Sequence, residues 1–245
     1  DIGDAVPRNQ LFGEAIWRLR INPVLSGAFV ASYDYYEADN ETDNQINTAA
    51  LDAGFIYEAD ENLTLTAGLG YEDRKRRETI DGERLTTEDD SGIAVRGSVF
   101  YERDDLSFDA EGRVTTAAPE TRWTGDFLLD YDLPRGRVYA SGYRSYGGDF
   151  RGDETLFYGA GIGVTRDINT LSRWGIDLFA RNQIDVDDPE IADIDRIDGS
   201  VRYIYDFASD ISATFGYRLR LRTEDGSAQS NAIFVAFGKT FTRRP

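Results

Sequence analysis

The 245-residue sequence contains no cysteine, no histidine and no methionine. The missing cysteine excludes a disulfide framework, a thiolate nucleophile and zinc-cysteine sites. The missing histidine removes the Ser-His and Cys-His catalytic arrangements and most transition-metal sites. A methionine-free chain opening on Asp1 reads as a processed chain whose targeting segment has been cut away. Hydrophobic residues make up 40% of the chain and mean hydropathy is −0.48. No stretch approaches the ~20 apolar residues of a spanning helix, so a helical membrane protein is excluded. Basic residues are outnumbered 27 to 45, giving a net charge of −18. Nucleic acid is therefore not an expected partner, because phosphate neutralisation needs a basic face. Proline stops at 6, whereas there are 24 glycines, 14 tyrosines and 14 phenylalanines. A disordered acidic chain would be poor in aromatics, so this one is built to fold.

The pattern that is present is alternation of apolar and polar residues, which puts one kind of side chain on each face of a β-strand. Leu63, Leu65, Ala67, Leu69 and Tyr71 alternate with Thr64, Thr66, Gly68, Gly70 and Glu72. Ile211, Ala213, Phe215, Tyr217, Leu219 and Leu221 alternate with Ser212, Thr214, Gly216, Arg218, Arg220 and Arg222. Similar runs recur along the chain, although the faces of Val138 to Tyr146 cannot be assigned from sequence. The count is about twelve strands after Pro23, at roughly twenty residues per strand with its connection, the rhythm of an antiparallel meander. Short connections, such as Ala59 to Asn62, Arg103 to Asp105 and Leu133 to Gly136, alternate with long charged ones, such as Glu37 to Asn44, Lys75 to Ser91 and Gln183 to Asp195.

The expected fold is thus all-β: a closed antiparallel transmembrane β-barrel of about 12 strands, with short periplasmic turns and longer acidic outer loops. Aromatics at the ends of the apolar faces, among them Tyr57, Tyr71, Tyr101, Trp123, Tyr131, Trp174 and Phe241, match girdles at two lipid–water interfaces. A soluble β-sandwich would also alternate. Its core would be poorly filled by Ala49, Ala53, Ala67, Gly97, Ala110, Gly112 and Ala213, which sit acceptably against lipid. Residues 1–17 are expected to be an N-terminal periplasmic segment and 18–245 the barrel, with Arg18 to Tyr36 as one long first strand interrupted near Asn22-Pro23. Counting an extra strand before Asn22 would give thirteen and place the termini on opposite sides of the membrane, against the even-number rule.

The last strand, Asn231 to Phe241, resembles the C-terminal strand of bacterial outer-membrane barrels through Ile233, Val235, Phe237 and Phe241, with Lys239 departing from the pattern. Asn62 to Tyr71 and Ala213 to Arg220 resemble the repeated strand of the β-barrel porin families of alphaproteobacteria, which include barrels encoded with exopolysaccharide systems. The resemblance implies the bacterial outer membrane of a Gram-negative organism, with outer-membrane lipid and lipopolysaccharide as surroundings.

If the apolar faces meet lipid, the opposite faces line a lumen. The candidate lining residues are Arg96, Arg113, Arg181, Arg202, Arg218, Arg220 and Arg222 with Asp52, Asp109, Glu111, Asp126, Asp130, Asp177 and Asp198. They serve either a pore that selects small hydrophilic solutes or a salt-bridge network that closes a structural or accessory barrel. Arg218, Arg220 and Arg222 lie about 7 Å apart along one face. Asp198 compensates this ladder, or it forms an anion-attracting track. Asp109 and Glu111 could act as acid and base, but nothing in the sequence splits their properties, and no enzyme activity is expected. No cofactor is implied. Asp185, Asp187 and Asp188 in an acidic loop are weak metal candidates, expected to gather divalent cations loosely. A homo- or hetero-oligomer stays open.

Overall fold

The computed structural model describes residues 8–38, 44–80, 83–117, 121–148, 154–186, 193–208, 211–223 and 226–239. Among these, every regular element is a strand. They are β1 (Arg8–Arg20), β2 (Leu25–Ala38), β3 (Asn44–Glu58), β4 (Leu63–Ile80), β5 (Glu83–Arg103), β6 (Leu106–Thr115) and β7 (Arg122–Leu133), then β8 (Gly136–Gly148), β9 (Glu154–Asn169), β10 (Ser172–Asp185), β11 (Ile194–Ala208), β12 (Ile211–Thr223) and β13 (Ser227–Lys239). Each pairs antiparallel with its sequence neighbours, in the order β1 to β13 without a crossover. Alternate connections are tight at one end of the sheet: β1–β2, β3–β4, β5–β6, β7–β8, β9–β10 and β11–β12.

The tight turns are written in their residues. The Asn22 side-chain carbonyl accepts the Val24 and Leu25 N–H groups at 2.9 Å, and Asp60 takes those of Asn62 and Leu63 at 2.8 and 3.0 Å. Asn169 accepts Leu171 N–H in the same way. These local bonds stand in for the ladder where the chain reverses. Asp104, in the two-residue β5–β6 reversal, has φ of 50°, and Gly136, which opens β8 straight after the two-residue β7–β8 reversal, has φ of 141°. At Gly136 any Cβ would also run into the backbone of Thr165.

Three expectations are corrected. The strand count is thirteen among the described residues, not about twelve, because Arg18 to Tyr36 is two strands: Pro23 has no N–H for a ladder and Asn22 closes a turn. For the same reason the expected segment of residues 1–17 enters the sheet from Arg8 onward, pairing with β2 from Arg8↔Ala38 to Arg20↔Ser26; residues 1–7 lie outside the described residues. Among the described residues the sheet is not closed: β1 pairs only with β2 and β13 only with β12. Both edges are odd-numbered in the meander and run in the same direction, so an antiparallel ladder cannot join them directly.

The stretch Lys75 to Ser91, expected as a loop, belongs to the longest hairpin. Its alternating charges face one another, Arg74↔Asp90 and Lys75↔Asp89, with a bulge after Arg76. Cross-strand opposite charges favour the extended ladder over a loop. β8, whose faces alternation left unassigned, places Tyr139, Ser141, Tyr143 and Ser145 with the polar set, and Val138, Ala140 and Gly142 with the apolar one.

The two faces differ in burial, and in the opposite sense to a water-soluble sheet. Asp52 is 5% exposed while its neighbour Leu51 is 67% exposed. Glu72, Arg74, Arg76 and Asp130 are buried, whereas Phe55, Leu69, Ile93, Ile162 and Phe215 are exposed. The polar face is the concave one. A cavity of about 720 Å³ is lined jointly by Glu14 and Arg18 of β1, Arg96 of β5, Glu111 and Arg113 of β6 and Asp126 of β7.

Candidate functional site

All fourteen lumen candidates fall on this polar face, as the strand registers require. Asp52 opposes Gly70, Arg96 opposes Arg113, Glu111 opposes Asp126, Asp109 opposes Leu128 and Asp130 opposes Tyr139. Further along, Asp177 opposes Ser200, Arg181 opposes Arg196, Asp198 opposes Arg220, Ser200 opposes Arg218, Arg202 opposes Gly216 and Arg196 opposes Arg222.

The ion pairs reach beyond adjacent strands, which a flat sheet would not allow. Arg113 on β6 donates NH1 to both oxygens of Asp52 on β3 at 3.1 Å, and Nε and NH2 to Glu72 on β4 at 3.1 and 2.9 Å. One guanidinium thus ties three strands, using its fork of donors. Gly70 makes this possible, because a Cβ there would occupy the space of the Asp52 carboxylate. On the other side, Tyr139 of β8 passes over Gly163 of β9 and donates its hydroxyl to Asp177 of β10 at 2.8 Å. Asp177 also accepts Ser200 at 3.1 Å and pairs with Arg202 at 3.3 Å. Tyr143 stacks on Phe179 across the same glycine-rich strand, centroids 6.1 Å apart. Near the tight turns, Arg137 donates to Asp130 at 2.7 Å.

The arginine ladder of β12 is compensated in part. Arg220 donates to Asp198 at 2.8 Å, but Asp198 is shared with Arg196. Arg218 lies over the Phe234 ring at 5.6 Å. Alternation read from Ile197 onward overlooked Arg196, two residues before Asp198 and hence on its face. It extends the basic set into a row, Arg181, Arg196 and Arg222, on three adjacent strands. Glu72, although charged and on the polar face, was likewise absent from the candidate set, as were Tyr139, Tyr143 and Ser200, since neither tyrosine nor serine announces itself by charge.

The face therefore has two sectors. On β10 to β12, seven arginines (Arg173, Arg181, Arg196, Arg202, Arg218, Arg220, Arg222) accompany four aspartates (Asp177, Asp185, Asp198, Asp206). On β5 to β7, Asp109, Glu111, Asp126 and Asp130 accompany Arg96 and Arg113. Glu111 and Asp126 confront each other directly. Of the metal candidates, Asp185 ends β10, while Asp187 and Asp188 lie outside the described residues. Among the described residues, no group of three or more carboxylates could hold a metal ion.

No protein-family model matches the chain, and no curated protein matches it by sequence. Solved structures do resemble it. The structure titled Copper transporter OprC superposes with a TM-score of 0.51 at 9% identity, covering 90% of this chain and 47% of that one. The chain thus spans about half the length of that protein. An outer membrane channel from Pseudomonas putida F1 gives 0.39 at 13% identity, covering 98% and 99% of the two chains. The CymD monoaromatic hydrocarbon channel gives 0.37 at 9% identity, covering 96% and 87%. Of these three superpositions the first exceeds 0.5, and at 9% identity it speaks to the fold alone: an antiparallel all-β sheet.

Proposed function

We propose that the chain forms the wall of a water-filled channel in a bacterial outer membrane, passing small hydrophilic solutes along a charged lumen. The observation that carries this reading is the inversion of the two faces: exposed Leu51, Phe55, Leu69 and Phe215 outside, buried Asp52, Glu72 and Asp130 inside. Exposed apolar side chains over a whole sheet face cost free energy in water and none against hydrocarbon. Charges on the concave face keep their hydration only if water fills it. The basic sector of β10 to β12 and the acidic sector of β5 to β7 give the lumen a transverse field, which orients solutes that carry charge. The wall is completed by a further strand antiparallel to both edges, or by a parallel β1–β13 ladder.

Single-channel conductance in a planar bilayer tests this. Steady conductance that scales with salt is expected, and Arg218→Gln, Arg220→Gln and Arg222→Gln together should move the reversal potential toward cations. Conductance with unchanged selectivity would remove the arginines from the track. A second reading, a non-conducting structural or accessory barrel of an envelope or exopolysaccharide assembly, is favoured by the Arg113 tie, which joins β3, β4 and β6 across the concave face. Silence from protein shown to be folded by heat-modifiable mobility would establish it in place of the channel.

A further inference from the structure

The outward face carries a second polar cavity, away from the lumen. It encloses about 390 Å³ and is lined by Tyr33 and Tyr35 of β2, Gln45, Asn47 and Ala49 of β3, and Asp73, Lys75 and Arg77 of β4. Their registers, Tyr33↔Ala49, Tyr35↔Asn47, Gln45↔Arg77, Asn47↔Lys75 and Ala49↔Asp73, put all eight on the face of Leu51, Leu69 and Tyr71. The cavity therefore begins where the apolar band stops. From Leu63 to Tyr71 that band runs about 27 Å along β4, and Lys75 and Arg77 follow about 13 and 20 Å beyond Tyr71. Tilted strands turn this into the depth of a hydrocarbon core followed by a headgroup layer.

Gln45 is 8% exposed, and its side-chain carbonyl oxygen has no hydrogen-bond partner. A buried acceptor without a donor costs free energy that an entering hydroxyl would recover. The Tyr33 hydroxyl donates to Asn47 at 3.0 Å, which fixes the amide at the cavity wall. Lys75 is balanced by Asp89 at 3.5 Å and Asp73 at 3.9 Å, while Arg77 is exposed at the rim. Two tyrosine rings, two amides and a rim guanidinium suit a phosphorylated sugar: rings against its C–H faces, amides on its hydroxyls, the guanidinium on its phosphate. Continuity with the apolar band requires the same molecule to carry acyl chains. A free glycan would have no use for Leu51 and Tyr71 beside the cavity.

We infer that this cavity holds the headgroup of an outer-leaflet glycolipid, an acylated and phosphorylated disaccharide of the lipopolysaccharide anchor type. The inference rests on the membrane reading above, though not on whether the lumen conducts.

Native mass spectrometry of the detergent-solubilised chain, with lipid A or phosphatidylethanolamine as probe, tests it. Wild type should retain one lipid A per chain, at least ten-fold over phosphatidylethanolamine. Gln45→Leu and Arg77→Gln should each lower retention about ten-fold, and Gln229→Leu, at the same end of β13, should not. Heat-modifiable mobility confirms that each variant folds. Equal retention of both lipids, variants that bind as wild type does, or full competition by the deacylated phosphorylated disaccharide would each overturn the site. The same preparations go into bilayers: a chain that incorporates without lipid preference refutes this site alone, and a silent chain that still prefers lipid A refutes only the channel.

Discussion

At the scale of single residues, the polar face is held by charged groups that serve two partners at once, Arg113 two carboxylates and Asp198 two arginines. Asp52 and Glu72 are both buried, and Arg113 is their shared partner. Arg113→Ala leaves two carboxylates enclosed without a cation, and removing one partner of such a group costs about 3–5 kcal/mol in a dry interior. Water reaches a quarter of the Arg113 side chain, so about 2 kcal/mol is the expected loss, measured by urea unfolding in lipid vesicles. Arg113→Lys should recover only part, because an ammonium cannot reach both carboxylates with paired donors. A wild-type midpoint in Arg113→Ala would mean that the tie is formed but contributes nothing. Which residues share this face was legible in the sequence, because a period of two assigns every second side chain without knowledge of the fold. Which of them touch was not. Asp52 and Arg113 are 61 positions apart with β4 and β5 between their strands, and only the curl of the sheet brings them within 3.1 Å.

At the scale of elements, glycines on the polar face decide which long side chains can cross a strand. Gly163 of β9 lies beneath the Tyr139 ring, where a Cβ cannot be placed. Gly163→Val should unhook Tyr139 from Asp177 at a cost of about 1–3 kcal/mol, as overpacking does. Tyr139→Phe removes only the hydroxyl and should cost about 1 kcal/mol. Equal losses from the two variants would show that the hydrogen bond, not the space, is what Gly163 protects. Alternation alone cannot separate such a glycine from one that merely fills the outward face. The β1–β2 boundary was expected as an interruption near Asn22-Pro23 but not as a reversal, because Trp17, Leu19 and Ile21 keep the period up to Asn22 and the turn is made by one side-chain carbonyl. The charged hairpin of β4 and β5 escaped because density of charge resembles a loop until the two strands are set in register.

For the whole molecule, the direction of burial is the property on which membrane insertion depends, and it makes a depth-dependent prediction. Ala67 lies midway between Leu63 and Tyr71 on the outward face, opposite Phe55 and Gly97. Gln229 lies on the same face of β13 at the end with the longer connections, opposite Leu221. If hydrocarbon covers this face, Ala67→Arg should destabilise the folded state by about 2–4 kcal/mol and Gln229→Arg by about 0–1 kcal/mol, measured as folding equilibria in vesicles. In a water-soluble sheet the order would differ, because an arginine on an exposed outer face is solvated wherever it is placed and both changes would fall within about 0.5 kcal/mol. Strand pairing alone cannot produce the gap, since neither substitution touches a backbone hydrogen bond. A gap of two or more kcal/mol therefore measures the surrounding solvent rather than the sheet, and its absence would remove the lipid from the outward face and with it the water-filled lumen.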